Sequence, residues 1–403
     1  MRVLALSSPS TSHLMVAVPL LTALRVAGHE VLFAGQPDVI GMARSAGLPT
    51  VTVGELFDGN GFFHLLPAGK RPIECNIAQP QRGAEGQAVG PYVFHAKYLV
   101  DRYHDLALEW RPDLIVADPL EYSALIVGGL LGVPVIFHRW GPEEMTDPGL
   151  RVATAMLHAQ AVRLGLPGGL GRPALVLDPS PAAWRLPADT AQPIRPVPYN
   201  GGGAVPAPLP SPGRRRRVLI SLGLSTVQLN GLPLIQHLLD AFRSLDDVEA
   251  VVTLDRSDHD RVRAPSNARL IEPAPVSALV DRCDLVIHHG GAGTIIAALT
   301  AGLPHLLLPQ LNESFARCDR IAASGVAIQL ADADRQNDPA IIRTAIRSLL
   351  DDGRYLQAAT DLAAEVTRMP SPARIVAMLE ELAWRDPAST APLSRPAIVG
   401  ASQ

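Results

Sequence analysis

Cysteine and lysine are both scarce in this chain. Three cysteines, Cys75, Cys283 and Cys318, stand far apart in 403 residues, with no CxxC pair and no tight cluster. A disulfide framework and a zinc site are therefore excluded, and a reducing cytoplasm is the expected location. Of the 35 basic residues only Lys70 and Lys97 are lysine, a compositional bias toward arginine with no mechanistic content of its own. No basic run exceeds Arg214 to Arg217 and the formal charge is −4, so the electrostatic footprint of a nucleic-acid binder is missing. There is no uninterrupted apolar stretch of about 20 residues, and no membrane span is expected. The opening MRVLALSSPSTSHLM has no apolar h-region followed by a small-residue cleavage site, so no secretory leader is expected.

What is present is an apolar fraction of 47% against 18% charged residues, enough to offset the ordering entropy of a folded chain. At about 150 residues per domain, the length leads to two or three compact units. Residues 2–7, RVLALS, form a short apolar run ended by Ser7, Ser8 and Pro9, which reads as a buried parallel strand. Residues 14–27 follow at helical spacing, closed by Gly28, with Pro19 early enough to be tolerated. EVLFAG from Glu30 is the next strand. The alternation recurs as strand 113–117, helix 122–131 and strand 134–138.

It restarts after residue 213: strand 217–222, helix 231–245, strands 250–254 and 268–271, helix 276–282, strand 284–288, helix 294–301, strand 305–308 and helix 314–323. Helical patterns at 339–350, 354–369 and 372–385 follow. The expected fold is α/β, two Rossmann-like doubly wound parallel-sheet domains facing across a cleft that holds the ligand. The divisions are 1–195, a Pro/Gly-rich linker 196–213, 214–369, a helix 370–385 packing back on the first domain, and a frayed tail 386–403. Between Leu56 and Pro91 the pattern dissolves, with isolated apolar pairs such as Phe62 and Phe63. Such a stretch is either a functional lid or a plain disordered insertion.

The sharpest local signal is HHGGAGT, His288 to Thr294, between the strand DLVIH and the helix IIAALTAG. Glycines let the backbone approach an anion while free N–H groups at the helix start point at it, so the segment reads as a phosphate cradle or, failing that, a structural turn. A dinucleotide fingerprint would need glycine where Ile296 stands, and a P-loop would need a lysine that this half lacks. His289 beside the cradle reads as a hydrogen-bond donor to a phosphate oxygen. The second signal is Ser10-Thr11-Ser12-His13 at a strand-to-helix turn, where the helix dipole favours a neutral imidazole able to accept a proton. His13 is then a base or part of a helix cap. Asp118, ending the strand DLIVA, either holds the imidazole in the right tautomer or caps the next helix. Asp332-Ala333-Asp334 matches a DxD metal motif by letters but reads as solvated or capping aspartates. His138-Arg139-Trp140 either touches substrate or packs, His29 reads as a helix cap, and Arg214 to Arg217 as a solvated linker end.

Taken in order, RVLALSSPSTSHLM with GHEVLFAG, RPDLIVADPLEYSA, GVPVIFHRWGP, RPVPYNGGGAVP, VLISLGLS and HHGGAGT through GLPHLLLPQ resemble the GT-B nucleotide-sugar glycosyltransferases. Within them the chain is similar to the bacterial enzymes that attach deoxysugars to polyketide, macrolide, enediyne and related natural products. The resemblance covers nearly the whole chain. It implies that 1–195 binds the acceptor and 214–369 the nucleotide sugar. His13 is then the general base and Asp118 its support, and His289, Gly290, Gly291, Gly293 and Thr294 meet the diphosphate. Gly223 and Ser225 are further phosphate contacts, and the backbone at Val276 faces the nucleobase. Glu313 and Ser314 stand where the family carries Asp-Gln against the sugar hydroxyls, Leu224 where it carries Thr, and Pro273 where many members carry Trp. Phe62, Phe63, His138, Arg139 and Trp140 are the acceptor-side candidates.

The implied activity is inverting transfer of a deoxysugar from a dTDP- or UDP-sugar to a hydrophobic aglycone in antibiotic biosynthesis, without metal or other cofactor. A second copy of the chain or an auxiliary activator protein is a further candidate partner. Two rivals stay open: a nucleotide-sugar epimerase of the same fold, and a non-catalytic nucleotide-sugar-binding partner of another transferase.

Overall fold

In the computed structural model the described residues are 1–57, 66, 67, 69–75, 85–186, 189–203 and 215–384, with the side chains of 85–88, 224 and 313 outside that set. The chain divides into two units, Met1–Gly59 with Gln81–Val197 and Val366–Gln403, and Asn60–Pro80 with Pro198–Glu365. The sequence reading counted 60–80 with the first unit; the structure groups it with the second, where Arg71 is buried.

The first unit runs β1 (Arg2–Leu6), α1 (Thr11–Val26), β2 (Glu30–Gly35), α2 (Pro37–Ser45), β3 (Thr50–Thr52), α3 (Glu85–Trp110), β4 (Leu114–Ala117), α4 (Ser123–Leu131), β5 (Val135–His138), α5 (Thr146–Leu164), β6 (Leu175–Asp178) and β7 (Gln192–Pro193). Its strands pair in the order β3-β2-β1-β4-β5-β6-β7, every pairing parallel. Helices on both faces bury the strands on both sides, which is why RVLAL and LIVA are apolar runs and not alternating ones. Helix α1 begins three residues earlier than the sequence predicts, so Pro19 lies in its interior and not near its start. Three helices of this unit, α2, α3 and α5, fall where no helix is predicted. Helix α3 begins inside the stretch read as a loop and buries Val89, Val93, Ala96, Val100, Tyr103 and Ala107 at helical spacing, and α5 buries Leu150, Ala153, Leu157 and Ala161.

The second unit runs β8 (Arg216–Ser221), α6 (Gly223–Thr226), α7 (Leu232–Phe242), β9 (Val248–Thr253), β10 (Ala268–Ile271), β11 (Leu285–His288), α8 (Ala292–Ala301), β12 (His305–Leu307), α9 (Asn312–Ala323), β13 (Ala327–Gln329), α10 (Ala333–Gln336), α11 (Pro339–Asp351) and α12 (Gly353–Arg368). Helix α13 (Pro372–Ala383) returns to the first unit, where Glu380 Oε1 lies 3.0 Å from His29 Nε2. His29 thus ties α13 to the turn between α1 and β2 through its side chain. The strand order is β10-β9-β8-β11-β12-β13, again parallel. Alternate residues enter opposite layers: Val218, Ile220, Leu285 and Ile287 pack on α7 and α11, and Leu219, Val251 and Val286 pack under α8. Each such side chain contributes roughly 1.5–3 kcal/mol by burial.

Residues 276–282 form two 3-10 turns, Val276–Ala278 and Val280–Arg282, where one helix is expected; Val276, Leu279 and Val280 each turn into the same apolar layer. Arg217 corrects the reading of a solvated basic run. It is fully buried on β8, with Nε and Nη2 donating to Glu249 Oε2 at 3.0 and 2.8 Å. No helix among the described residues is long and apolar enough to cross a membrane.

Candidate active site

Both sheets share the order 3-2-1-4-5, which reverses direction beside the first strand and opens a crevice at the carboxyl ends there. In the first unit that switch point lies between β1 and β4, and the residues following those strands are Ser7, Ser8 and Asp118. Asp118 Oδ2 accepts from Ser8 N at 2.6 Å and Ser7 Oγ at 3.1 Å, while Oδ1 accepts from Leu120 N at 3.0 Å and Ser8 Oγ at 3.1 Å. His13, third residue of α1, points its ring back so that Nδ1 lies 2.9 Å from Ser8 Oγ and 3.4 Å from Asp118 Oδ1. Because the Ser8 hydroxyl proton goes to Asp118, its lone pair accepts from His13 Nδ1–H, which leaves Nε2 as the basic nitrogen. Among the described residues Nε2 takes no hydrogen bond. Burial alone would raise the Asp118 carboxyl, but the bonds from His13, Leu120 and Ser8 outweigh it and hold it below its ordinary value. Asp118 does not cap α4, whose N-cap is Tyr122; it binds the backbone of the turn before that helix and lies beside the imidazole.

Trp140 follows β5 and stacks on the other side of this group, its ring centroid 3.9 Å from that of His13 with 7° between planes. It is buried, so the structure gives it His13 as its partner. Arg139 and His138 are corrections to the acceptor-side reading. The Arg139 guanidinium is spent on Glu143 at 3.0 Å, Asp178 at 2.8 Å and Asp189, and His138 is buried with Nδ1 2.8 Å from the Arg139 carbonyl. Phe62 and Phe63 lie outside the described residues. Sequence reasoning missed Ser8, and also a buried pair nearby, His95 Nε2 and Glu121 Oε2 at 2.6 Å.

The second unit carries HHGGAGT at its own switch point, between β8 and β11. The loop needs glycine at two positions: Gly290 has φ +89° and a Cβ there would meet Cys318 Sγ at 2.6 Å, while one on Gly223 (φ +72°) would meet His289 Cε1 at 2.7 Å. Helix α8 then starts with no side chain capping its first N–H groups, which leaves them for a ligand. His288 is a structural residue: its Nδ1 accepts from Gly290 N at 3.1 Å, and Nε2 lies 2.9 Å from Nδ1 of the buried His305. His289 lies between Gly223 and Gly291 with a buried Nδ1 that has no partner. Burial first, and the Arg317 guanidinium second, push it down to about 4, so it is neutral at pH 7.

Gly291 and Gly293 flank the helix start, Thr294 and Ser314 are buried beside it, Ser225 is exposed on α6, and Val276 opens its turn. The side chain of Glu313 lies outside the described set. Asn200 was missed: its Oδ1 accepts from Ser277 N at 3.1 Å, and its Nδ2 would stand 2.7 Å from a Cβ on Gly293, so it bridges the Val276 turn to the cradle. The PYNGGG segment was its only sequence signal. Asp332 caps α10, accepting from Arg335 N at 2.8 Å. Among the described residues no group of three or more His, Cys, Asp or Glu side chains is arranged to hold a metal ion.

Two doubly wound parallel-sheet units, with the solved neighbour described below, define a glycosyltransferase of the GT-B fold. The sequence matches the erythromycin biosynthesis protein CIII-like N-terminal domain over residues 22–223 and the corresponding C-terminal domain over 236–382. It is 31% identical to the 10-deoxymethynolide desosaminyltransferase of Streptomyces venezuelae, covering 95% of this chain and 97% of that one. It is 33% identical to the L-demethylnoviosyl transferase of Streptomyces niveus, with 93% and 96% covered. The spinosyn rhamnosyltransferase SpnG superposes with a TM-score of 0.83 at 33% identity, over 94% of this chain and 100% of SpnG, and has been solved with thymidine diphosphate and with spinosyn aglycone. The chain belongs to the erythromycin biosynthesis protein CIII-like family of antibiotic deoxysugar glycosyltransferases.

Proposed function

We propose that this enzyme moves a deoxyhexose from a dTDP-sugar to a hydroxyl of a hydrophobic natural-product aglycone in one inverting displacement. The observation that carries the reading is His13, whose Nδ1 is committed to Ser8 and Asp118 while Nε2 is unpaired among the described residues. The acceptor oxygen attacks the anomeric carbon from the face opposite the leaving group, its proton passes to Nε2, and the bond from the anomeric carbon to the diphosphate oxygen breaks. The electron pair leaves with the diphosphate, whose charge the N–H groups of the α8 start and His289 meet without a divalent cation. The buried Asp118 carboxylate balances the imidazolium formed. The solved complex of SpnG with thymidine diphosphate supports dTDP as the carrier.

The test is a mass-spectrometric screen of aglycones against a panel of dTDP-sugars, run with the wild type and His13→Ala. A glycosylated product of inverted anomeric configuration is expected, with turnover in the variant reduced roughly 10²- to 10⁴-fold and nucleotide affinity unchanged. A retained anomeric configuration, or near-normal turnover by the variant at saturating acceptor, would overturn the reading.

A further inference from the structure

Arg317 has no acidic partner among the described residues. It sits on α9, is only 7% exposed, and donates from Nη1 to the carbonyl of Gly290 at 2.8 Å, while its buried Nε has no partner. Among the described residues no carboxylate forms an ion pair with it. A buried guanidinium in that condition is costly unless something brings a negative charge to it.

That bond to Gly290 reaches the HHGGAGT loop. A trans peptide group points its carbonyl and its N–H in opposite directions. Fixing the Gly290 carbonyl on Arg317 therefore turns the Gly291 N–H, the other half of that peptide, away from α9. The left-handed Gly290 backbone and its tight contact with Cys318 on α9 keep the loop against the helix that carries the arginine. The same charge acts on His289, the residue next to that peptide, and helps hold it neutral.

We propose that Arg317 is a positioning residue and built-in counter-charge for the donor diphosphate. It locks the Gly290–Gly291 peptide with its N–H toward the anion, and supplies positive charge from behind the loop. This rests on the donor reading given above. Its reach is specific: the effect grows with the number of phosphate charges and is blind to nucleoside and sugar.

The experiment is calorimetric titration of thymidine, thymidine monophosphate and thymidine diphosphate into wild type, Arg317→Lys, Arg317→Gln and Arg317→Met, each checked for an intact fold by circular dichroism. Arg317→Met is expected to weaken thymidine diphosphate roughly 30- to 100-fold, the monophosphate less and thymidine under threefold. Arg317→Gln, which keeps a donor for the Gly290 carbonyl but no charge, should fall between Met and wild type, and Arg317→Lys should recover most of the loss. Diphosphate affinity within twofold of wild type in the Gln and Met variants would refute the proposal, as would an equal loss for all three ligands. If Arg317→Met does not fold, the Lys and Gln variants decide the matter by the same criteria. Absence of thymidine diphosphate binding by the wild type would overturn the donor reading itself, an outcome distinct from tight binding that ignores Arg317.

Discussion

Replacing Asp118 with Asn changes one atom and should cost both stability and turnover, for a reason that lies in the donors around it. Every group facing the carboxylate donates a hydrogen bond: Ser8 N at 2.6 Å, Leu120 N at 3.0 Å, the hydroxyls of Ser7 and Ser8 at 3.1 Å, and His13 Nδ1 at 3.4 Å. An amide has only one oxygen. With its NH2 in place of Oδ2 it confronts the Ser8 N–H at 2.6 Å; in place of Oδ1 it confronts the Leu120 N–H at 3.0 Å. Backbone N–H groups cannot reverse, so either arrangement strands a buried donor, a loss of about 3 kcal/mol when the charge-assisted bonds are included. The second arrangement has the longer contact and is the cheaper one. It also turns the NH2 toward His13, so that Nδ1 must accept and Nε2 must carry the proton, the tautomer unable to act as a base.

A fall in melting temperature of roughly 6–12 °C is expected for a unit of this size, together with a loss of turnover approaching 10⁴-fold. Thymidine diphosphate affinity, which the proposed function assigns to the other unit, should hold. The Asp118 value is depressed in the folded state, so its stabilisation is complete above the unfolded value of 3.8 and is lost as pH falls through the folded one. The stability gap between variant and wild type should therefore be constant from pH 7 to about 4 and close below it. Turnover within tenfold of wild type and an unchanged melting temperature would refute the reasoning.

Acid should act first on the second unit: burial holds His288 well below its ordinary value, His289 down to about 4 and His305 to about 3. Their unfolded forms take up protons from about pH 6.5 downward, so stability should drop as pH falls from 6.5 toward 4, by at most about 1.4 kcal/mol per pH unit per histidine; a flat urea midpoint between pH 7 and 5 would contradict this. Arg71→Met should destabilise the same unit by about 3 kcal/mol, because Gln336 Oε1 and Asn337 Oδ1, which Arg71 reaches at 2.8 and 2.6 Å, lose their donor; a urea midpoint equal to wild type would show the pin to be idle. Turnover should survive excess EDTA, and a loss restored by Mg²⁺ or Mn²⁺ would turn attention to Asp332, which caps α10, and Asp334 as metal ligands.

The legible parts of the sequence were those where one physical cause acts over neighbouring residues. Strands covered on both faces must be continuously apolar, so RVLAL, LIVA and LVIH stand out, and the turn after each carries candidate site residues. Helix α3 was hidden because Pro91 and nearby glycines read as loop chemistry, although the stripe from Val93 through Ala107 carries the helical period; tertiary burial overrode the local breaker. Ser8 was illegible for another reason. Spacing alone does not reveal that the last turn of β1 brings a hydroxyl between His13 and Asp118. Arg317 and Arg139 show the same limit from opposite sides, since a lone arginine in a sequence gives no sign of whether three carboxylates await it or, among the described residues, none.

The segment bearing Arg71 bears on how such enzymes can be recombined. Its guanidinium is buried among Gln310, Gln336 and Asn337, and its neighbour Lys70 receives the Asn230 amide at its carbonyl at 2.8 Å. Those partners all come from the half of the chain beyond residue 198, whereas α13, the last helix, belongs with the opening strands. A hybrid spliced once at the 197/198 junction would present a foreign Arg71 equivalent to a network shaped for this one, and would exchange α13 along with the wrong half. Grafting of a donor unit calls for three coordinated crossovers, near residues 60, 80 and 366, in addition to the junction itself.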